Sequence, residues 1–246
     1  MLERSFIPVR GVGEKTERTL WNAGVTHWDD FAGEAVGPTT AERIEAFIAE
    51  ARDHLAAGDA RFFGEAFPSN SRWRLYDSFR EDACFFDIET TGLDKHANDV
   101  TTVSFHRGGE TTTLVQGRDL TARRLREQFA DASLLVTFNG ARFDVPFLEA
   151  SFDLDVETPH IDLMYPCKSL GYDGGLKQVE TDVGIDREKP DITGRDAVRL
   201  WHEYERGDEG ALDILVEYNR DDARNLRPLM DRVAAEMEAR VFGDRA

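Results

Sequence analysis

Apolar positions recur along this chain with two different periods, and the change near residue 83 divides it. Up to about residue 60 the spacing is helical. Leu20 and Trp21 follow a Gly11-Val12-Gly13 turn, and Trp28 and Phe31 follow a second turn at Asn22-Ala23-Gly24. Ile44, Phe47, Ile48 and Leu55 share one face of a third helix. Residues 61–82 contain Pro68 and Ser69-Asn70-Ser71, which interrupt regular structure, together with Phe62, Phe63, Phe67, Trp73, Leu75, Tyr76 and Phe79. So much aromatic surface predicts a connector packed along a larger body, not a free linker. From Ala83 the period shortens: Ala83–Thr90 predicts a strand, and 100–106 with 111–116 a hairpin turning at Arg107-Gly108-Gly109-Glu110. Residues 120–130 predict a helix, 134–138 a buried strand, 143–152 a helix with Pro146 in its first turn, and 160–162 an extended piece before three or four helices. The order predicts an α/β layer fold, a mixed β-sheet flanked by helices and preceded by a small all-α part. Its expected divisions are a module at 1–60, the connector at 61–82 and the main domain at 83–246.

Composition narrows the class. The 246 residues are 41% hydrophobic, enough for a core, and no apolar run approaches the length of a membrane span. No charged start leads into a long apolar segment, so no secretory signal is expected. Two cysteines, Cys84 and Cys167, cannot build a disulfide framework or a four-cysteine zinc site, and a reducing cytoplasm is the expected location. Forty-eight acidic residues against 30 basic ones give a net charge of −18, which on its face argues against a polyanionic partner. Yet the basic residues are 25 Arg and 5 Lys, and the acids are dispersed along the chain. Such composition looks like that of proteins from a high-salt cytoplasm. There the Debye length falls to about 3 Å near 1 M salt, so nucleic acid stays admissible.

Three segments carry candidate chemistry. In Phe85-Phe86-Asp87-Ile88-Glu89-Thr90, strand alternation puts Asp87 and Glu89 on one face and Cys84, Phe86 and Ile88 on the other, so two carboxylates can grip one cation. The same Asp-x-Glu spacing recurs at Asp155-Val156-Glu157 and Asp186-Arg187-Glu188; the apolar setting of the first pair sets it apart. Asp144 stands at a helix entrance within Asn139-Gly140-Ala141-Arg142-Phe143-Asp144, where position alone reads as an N-cap. In the last long helix, Leu212, Leu215, Val216, Leu226, Met230 and Val233 define an apolar face that includes Asp222. Tyr218 lies one turn earlier, and Asp221 is expected to point away.

Together and in this order, the segments resemble the exonuclease motifs of the DEDD, or DnaQ-like, superfamily within the RNase H-like fold. The Tyr218-x3-Asp222 spacing resembles its tyrosine branch, DEDDy. The wider chain is similar to the YprB-like group through Trp73-Arg74-Leu75-Tyr76, His160-Ile161-Asp162-Leu163, Gly175-Leu176-Lys177-Gln178-Val179-Glu180 and Tyr218-Asn219. The resemblance implies a metal-dependent 3′–5′ exonuclease acting on DNA or RNA, with two Mg²⁺ or Mn²⁺ ions held by Asp87, Glu89, Asp144 and Asp222. It implies that Tyr218 orients the attacking water, a phenol being a poor base at neutral pH. Thr90, Thr91, Gly92, Leu93, Asn139 and Phe143 would line the cleft, with Asp162 either near the site or structural. Arg10-Gly11-Val12-Gly13-Glu14-Lys15 looks like a helix-hairpin-helix motif, in which Gly11, Gly13 and Lys15 would meet a phosphate, although Glu14 and Glu17 stand where basic residues would help. A structure-specific endonuclease using the same acids, or a nuclease fold that binds without turnover, are the rival readings.

Overall fold

The alternating segments become five strands: β1 Ala83–Thr90, β2 Val100–Arg107, β3 Glu110–Val115, β4 Leu134–Thr137 and β5 His160–Asp162. The structure is a computed structural model that describes residues 1–188 and 191–243. The sheet order is β3-β2-β1-β4-β5. The pairs β1–β2 and β2–β3 are antiparallel, whereas β1–β4 and β4–β5 are parallel, so the sheet is mixed with β1 at its centre. The hairpin turns at Gly108-Gly109, both with positive φ that glycine adopts without strain. Between Glu89 and Thr90 the β1–β2 register slips by one residue, a bulge at the end of the central strand.

Ten helices surround the sheet among the described residues: α1 Glu14–Asn22, α2 Pro38–Ala56, α3 Ala60–Ala66, α4 Tyr76–Phe79, α5 Ala122–Ala130, α6 Asp144–Phe152, α7 Met164–Leu170, α8 Leu176–Val183, α9 Gly194–Glu205 and α10 Glu209–Phe242. Cys84, Phe86 and Ile88 of β1 pack on one side with Leu125 and Phe129 of α5 and with Phe147 and Leu148 of α6. Ala83 and Phe85 face the other side, toward Leu226, Leu229, Met230 and Val233 of α10. The strand alternation expected for Asp87 and Glu89 therefore turns them toward α10. No helix of the described residues is long and apolar enough to cross a membrane.

The N-terminal region is seated on this frame by its own apolar residues. Leu2, Phe6, Leu20, Trp21, Trp28, Ile44 and Ile48 belong to the same buried cluster as Phe85, Leu134 and Met230. Residues 61–82 hold most of α3, a 3₁₀ turn at Ser69–Leu75 and α4, and Phe63, Phe67, Trp73, Leu75, Tyr76 and Phe79 are all buried. Glu17, whose acidity was at odds with a phosphate-binding motif, is turned inward. It is 1% exposed, pairs with Arg74 at 2.9 Å, and accepts from Ser5 Oγ at 2.7 Å and Phe6 N–H at 2.8 Å. Arg74 is 3% exposed, so this ion pair is dry at both ends.

Breaking a buried pair on one side leaves an uncompensated charge, which costs about 3–5 kcal/mol. Urea unfolding of Arg74→Met should show a loss of that order, and Glu17→Leu combined with Arg74→Met should recover much of it. Equal stability of the single variant and the wild type would remove this pair from the account of how the N-terminal region is held.

Candidate active site

Asp87 and Glu89 leave the end of the central strand half-buried, while Phe86 and Ile88 between them anchor the strand in the core below. Across from them, α10 brings Tyr218, Asn219 and Asp222 to the same place, at 6%, 0% and 6% exposure. Residues three and four apart on a helix share a face, so this presentation follows from the Tyr218-x3-Asp222 spacing. One carboxylate oxygen each from Asp87, Glu89 and Asp222 lie within 4.8 Å of one another. Asp144 stands outside that trio but beside it, close enough that its charge opposes ionisation of both Asp87 and Glu89.

Asp144 does not cap its helix. Phe143 occupies the cap position of α6 without a side-chain hydrogen bond, and Asp144 is the first helical residue, 3% exposed. Burial pushes its carboxyl up to about 7, against opposing help from the backbone N–H groups of Asp144 and Ile88. Burial, then the neighbouring carboxylates, raise Asp87 and Glu89 well above the usual range. Asp222 is also raised by burial, but its partner Arg187 works in the other direction. Tyr218 is pushed upward by burial and by Asp222, Glu89 and Asp87, so its phenol keeps its proton.

Several groups that restrain this repulsion were not assigned a part from sequence. Asn219 Nδ2 donates to Asp87 Oδ2 at 2.8 Å. Arg187, 6% exposed, bridges Asp222 and Glu180. The Lys177 ammonium lies 4.9 Å from the centre of the Tyr218 ring and lowers the pKa of Glu89 and Asp222. Asn219, Lys177 and Glu180 sat inside motifs visible in the sequence. Arg187 sat inside one of the competing Asp-x-Glu spacings, and no spacing signal marks it. Asp221, expected to point away, is instead 1% exposed: Glu188 N–H donates to it at 3.0 Å and Arg224 pairs with it. The chain at 186–188 covers that side of α10, a long-range contact that helical periodicity cannot register.

The remaining predicted residues form the surroundings. Thr90 Oγ donates to Gly92 C=O at 2.6 Å, and Thr91 N–H bonds to Asp99 C=O at 2.9 Å, shaping the turn after β1. A Cβ on Gly92 would meet Asn98 Oδ1 at 2.4 Å, so a larger residue there would have to displace the Asn98 side chain. Leu93 at the tip is 87% exposed. Asn139 has φ of 66°, and its N–H donates to Asp162 Oδ1 at 2.7 Å; Ala141 N–H reaches Oδ2 at 3.1 Å and Met164 N–H reaches Oδ1 at 3.1 Å. Asp162 thereby pins the loop that delivers Asp144. Phe143 lies against the core beneath α6. Gly11, with φ of 95°, Gly13 preceding α1 and the exposed Lys15 lie in the N-terminal region.

Hard divalent cations accept carboxylate oxygens, and the close trio of acid oxygens, reluctant to ionise together, fits Mg²⁺ or Mn²⁺. Residues 84–234 match the family described as RNase_H_2, of the RNase_H superfamily. No curated protein sequence matches the chain. Among solved structures the fold is similar to a family B DNA polymerase from the hyperthermophilic archaeon Pyrobaculum calidifontis: 18% identity, TM-score 0.52, 61% of this chain and 24% of the polymerase covered. It is also similar to Brucella melitensis NrnC bound to pGG, at 20% identity and TM-score 0.49, over 68% of this chain and 78% of that one.

Raised carboxyl groups make stability fall as pH rises, because the folded state holds protons that the unfolded chain has released. For Asp144 the window runs from its ordinary value of 3.8 up to about 7. Without divalent metal, Asp144→Asn should gain thermal stability relative to the wild type progressively across that window, and added Mn²⁺ should shrink the gain. A difference in Tm that stays constant from pH 4 to 7.5 would contradict the burial of this carboxyl.

Proposed function

The chain belongs to the RNase H superfamily, and from that premise we propose that it is a 3′–5′ exonuclease of the DEDDy type, hydrolysing phosphodiester bonds of DNA or RNA. The reading rests on one observation above all: acids from β1 and α10, 133 positions apart between Glu89 and Asp222, place their oxygens within 4.8 Å. Asp87, Glu89, Asp144 and Asp222 are the proposed holders of two Mg²⁺ or Mn²⁺ ions. When bound, such a pair supplies the acidity for a water nucleophile and offsets charge on the leaving 3′ oxygen.

The protein's own groups account for orientation. Asn219 holds one oxygen of Asp87 and leaves the other free to serve as a ligand. Tyr218, beside Asp222 and kept protonated by burial and the neighbouring carboxylates, is the proposed group that holds and aims the attacking water through its hydroxyl; it cannot act as the base. Thr90, Thr91, Gly92 and Leu93 on the turn after β1, with Asn139 and Phe143 across the cleft, are the proposed contacts to the terminal nucleotide. The exposed, apolar Leu93 is suited to packing against an unpaired base. In the N-terminal region, Gly11, Gly13 and Lys15 are proposed to touch a phosphate as a helix-hairpin-helix would. Because apolar residues of this region lie in the shared core, its role is tested by a point change such as Lys15→Glu, not by deletion.

Purified protein with Mn²⁺ and 5′-labelled single strands should give a ladder of shortened products, and Asp87→Ala or Asp222→Ala should abolish it. Discrete internal products would assign the site to endonucleolytic cleavage, and undiminished turnover in either variant would reject the site. Tyr218→Phe should slow turnover by roughly one to three orders of magnitude with metal affinity retained. Full activity in that variant would take the tyrosine out of the mechanism.

A further inference from the structure

Beside the loop that carries Asp144 lies a cavity of about 360 Å³, within the size range of small-ligand sites. The 3₁₀ turn of the connector supplies Arg72 and Trp73, β5 supplies His160 and Asp162, α7 supplies Tyr165, and Ala141 comes from the loop itself. Arg72 and Trp73 lie outside the span that matches the family, so the cavity is a joint product of the connector and the sheet.

One cation in its wall has no bonded partner at its buried nitrogen. Arg72 is half-buried, its Nε is sealed from solvent, and no hydrogen bond or ion pair among the described residues reaches that atom. Burial lowers its pKa with no carboxylate opposing the effect. Asp162 is the one acid in the wall, and both its oxygens are taken by the backbone N–H groups of Asn139, Ala141 and Met164. His160, bonded through Nε2 to Thr137 Oγ1 at 2.8 Å and pushed down to about 4 by burial and Arg72, is neutral at physiological pH. A cavity with one unanswered guanidinium in a chain of net charge −18 selects an anion.

The walls specify more than an anion. Tyr165 is 43% exposed, unusual for a large side chain here, and the Arg142 guanidinium stands 5.8 Å from its ring centre at the rim. An aromatic ring in a wall that also carries an arginine matches one nucleotide unit: phosphate on Arg72, base against the ring. We propose that this cavity binds a single nucleotide unit, its phosphate at Arg72 and its base on Tyr165. The unit is either a residue of a strand whose 3′ end occupies the acidic cleft or a free mononucleotide. Only the strand source rests on the nuclease reading; Ala141 in this wall and Asp144 in the acidic cleft are three residues apart.

The test uses the full chain in EDTA, so that binding is measured without turnover. A 5′-labelled eight-nucleotide single strand is followed by fluorescence anisotropy and AMP by calorimetry, for the wild type, Arg72→Gln and Tyr165→Ala. Each variant should bind at least one ligand about tenfold more weakly, with Arg72→Lys recovering part of the loss. Loss for the strand alone identifies a subsite along the substrate; loss for AMP identifies a pocket for the free nucleotide. Unchanged affinity for both ligands in both variants overturns the proposal, and Tyr165→Ala, a change at an exposed side chain, decides should Arg72→Gln fail to fold. Arg72-dependent binding in a protein that never cleaves would leave the cavity standing and the nuclease reading refuted. Cleavage without any such dependence would do the reverse.

Discussion

Three carboxylate oxygens within 4.8 Å of one another, with Asp144 beside them, cannot all be charged unless something positive stands among them. That constraint organises this protein more than any other. Two of the acids are fixed by a strand whose neighbouring residues, Phe86 and Ile88, are locked in the core, so they cannot retreat to solvent. Asp222 is fixed by a helix that packs along the same sheet, and Asp144 by a loop pinned through the backbone N–H groups of Asn139 and Ala141 to Asp162. The fold thus holds the repulsion in place and answers it locally: Arg187 on Asp222, Asn219 on Asp87, Lys177 nearby. What these groups do not answer is met by protons on the raised carboxyls, and divalent cations bound there would replace them.

A second buried charge, the Glu17–Arg74 pair, performs a different task. It lies between the N-terminal region and the connector and is satisfied by Ser5 and Phe6 as well as by its partner. Buried ion pairs contribute little net stability but discriminate strongly against arrangements that leave one member alone. Here the pair sets the register in which the first helices lie against the rest of the core. Tyr76 on Asp231 at 2.7 Å and Arg4 on Glu238 at 2.7 Å continue that seam along α10, the helix that also carries Asp222. The N-terminal region therefore braces the element on which the site depends.

The sequence made the sheet legible because its strands are rich in β-branched and aromatic residues and are bounded by turn signals such as Gly108-Gly109. Ala83–Thr90 and His160–Asp162 have the bounds expected, and the other strands differ by a residue or so at their ends. The in-facing acids of β1 follow from strand alternation, and the inward position of Asp222 from helical periodicity. Legibility fails where a residue's surroundings come from distant chain. Position alone made Asp144 an N-cap; the neighbouring strand draws it inward instead. Asp221 read as solvent-facing because a helical wheel contains no knowledge of residues 186–188. Arg187 was passed over inside an Asp-x-Glu spacing, since its importance lies in reaching across to Glu180 and Asp222, not in its own neighbours.

The same geometry resolves an apparent conflict between a net charge of −18 and a proposed polyanionic substrate. Long-range attraction is unavailable to such a surface, and recognition must act at contact distance. The positive groups near the proposed cleft are few and sheltered: Arg187 at 6% exposure, Lys177 over an aromatic ring, Arg72 in its cavity. Binding that neutralises only one or two phosphates through side chains releases few counterions, and its dependence on salt is correspondingly shallow, with a slope of about −0.7 per phosphate for single strands. On the proposed reading, the remaining affinity would come from stacking and from cations held between protein and strand. An acidic exterior with a small number of buried cations is thus compatible with nucleic-acid chemistry in concentrated salt, where a basic exterior would forfeit most of its advantage.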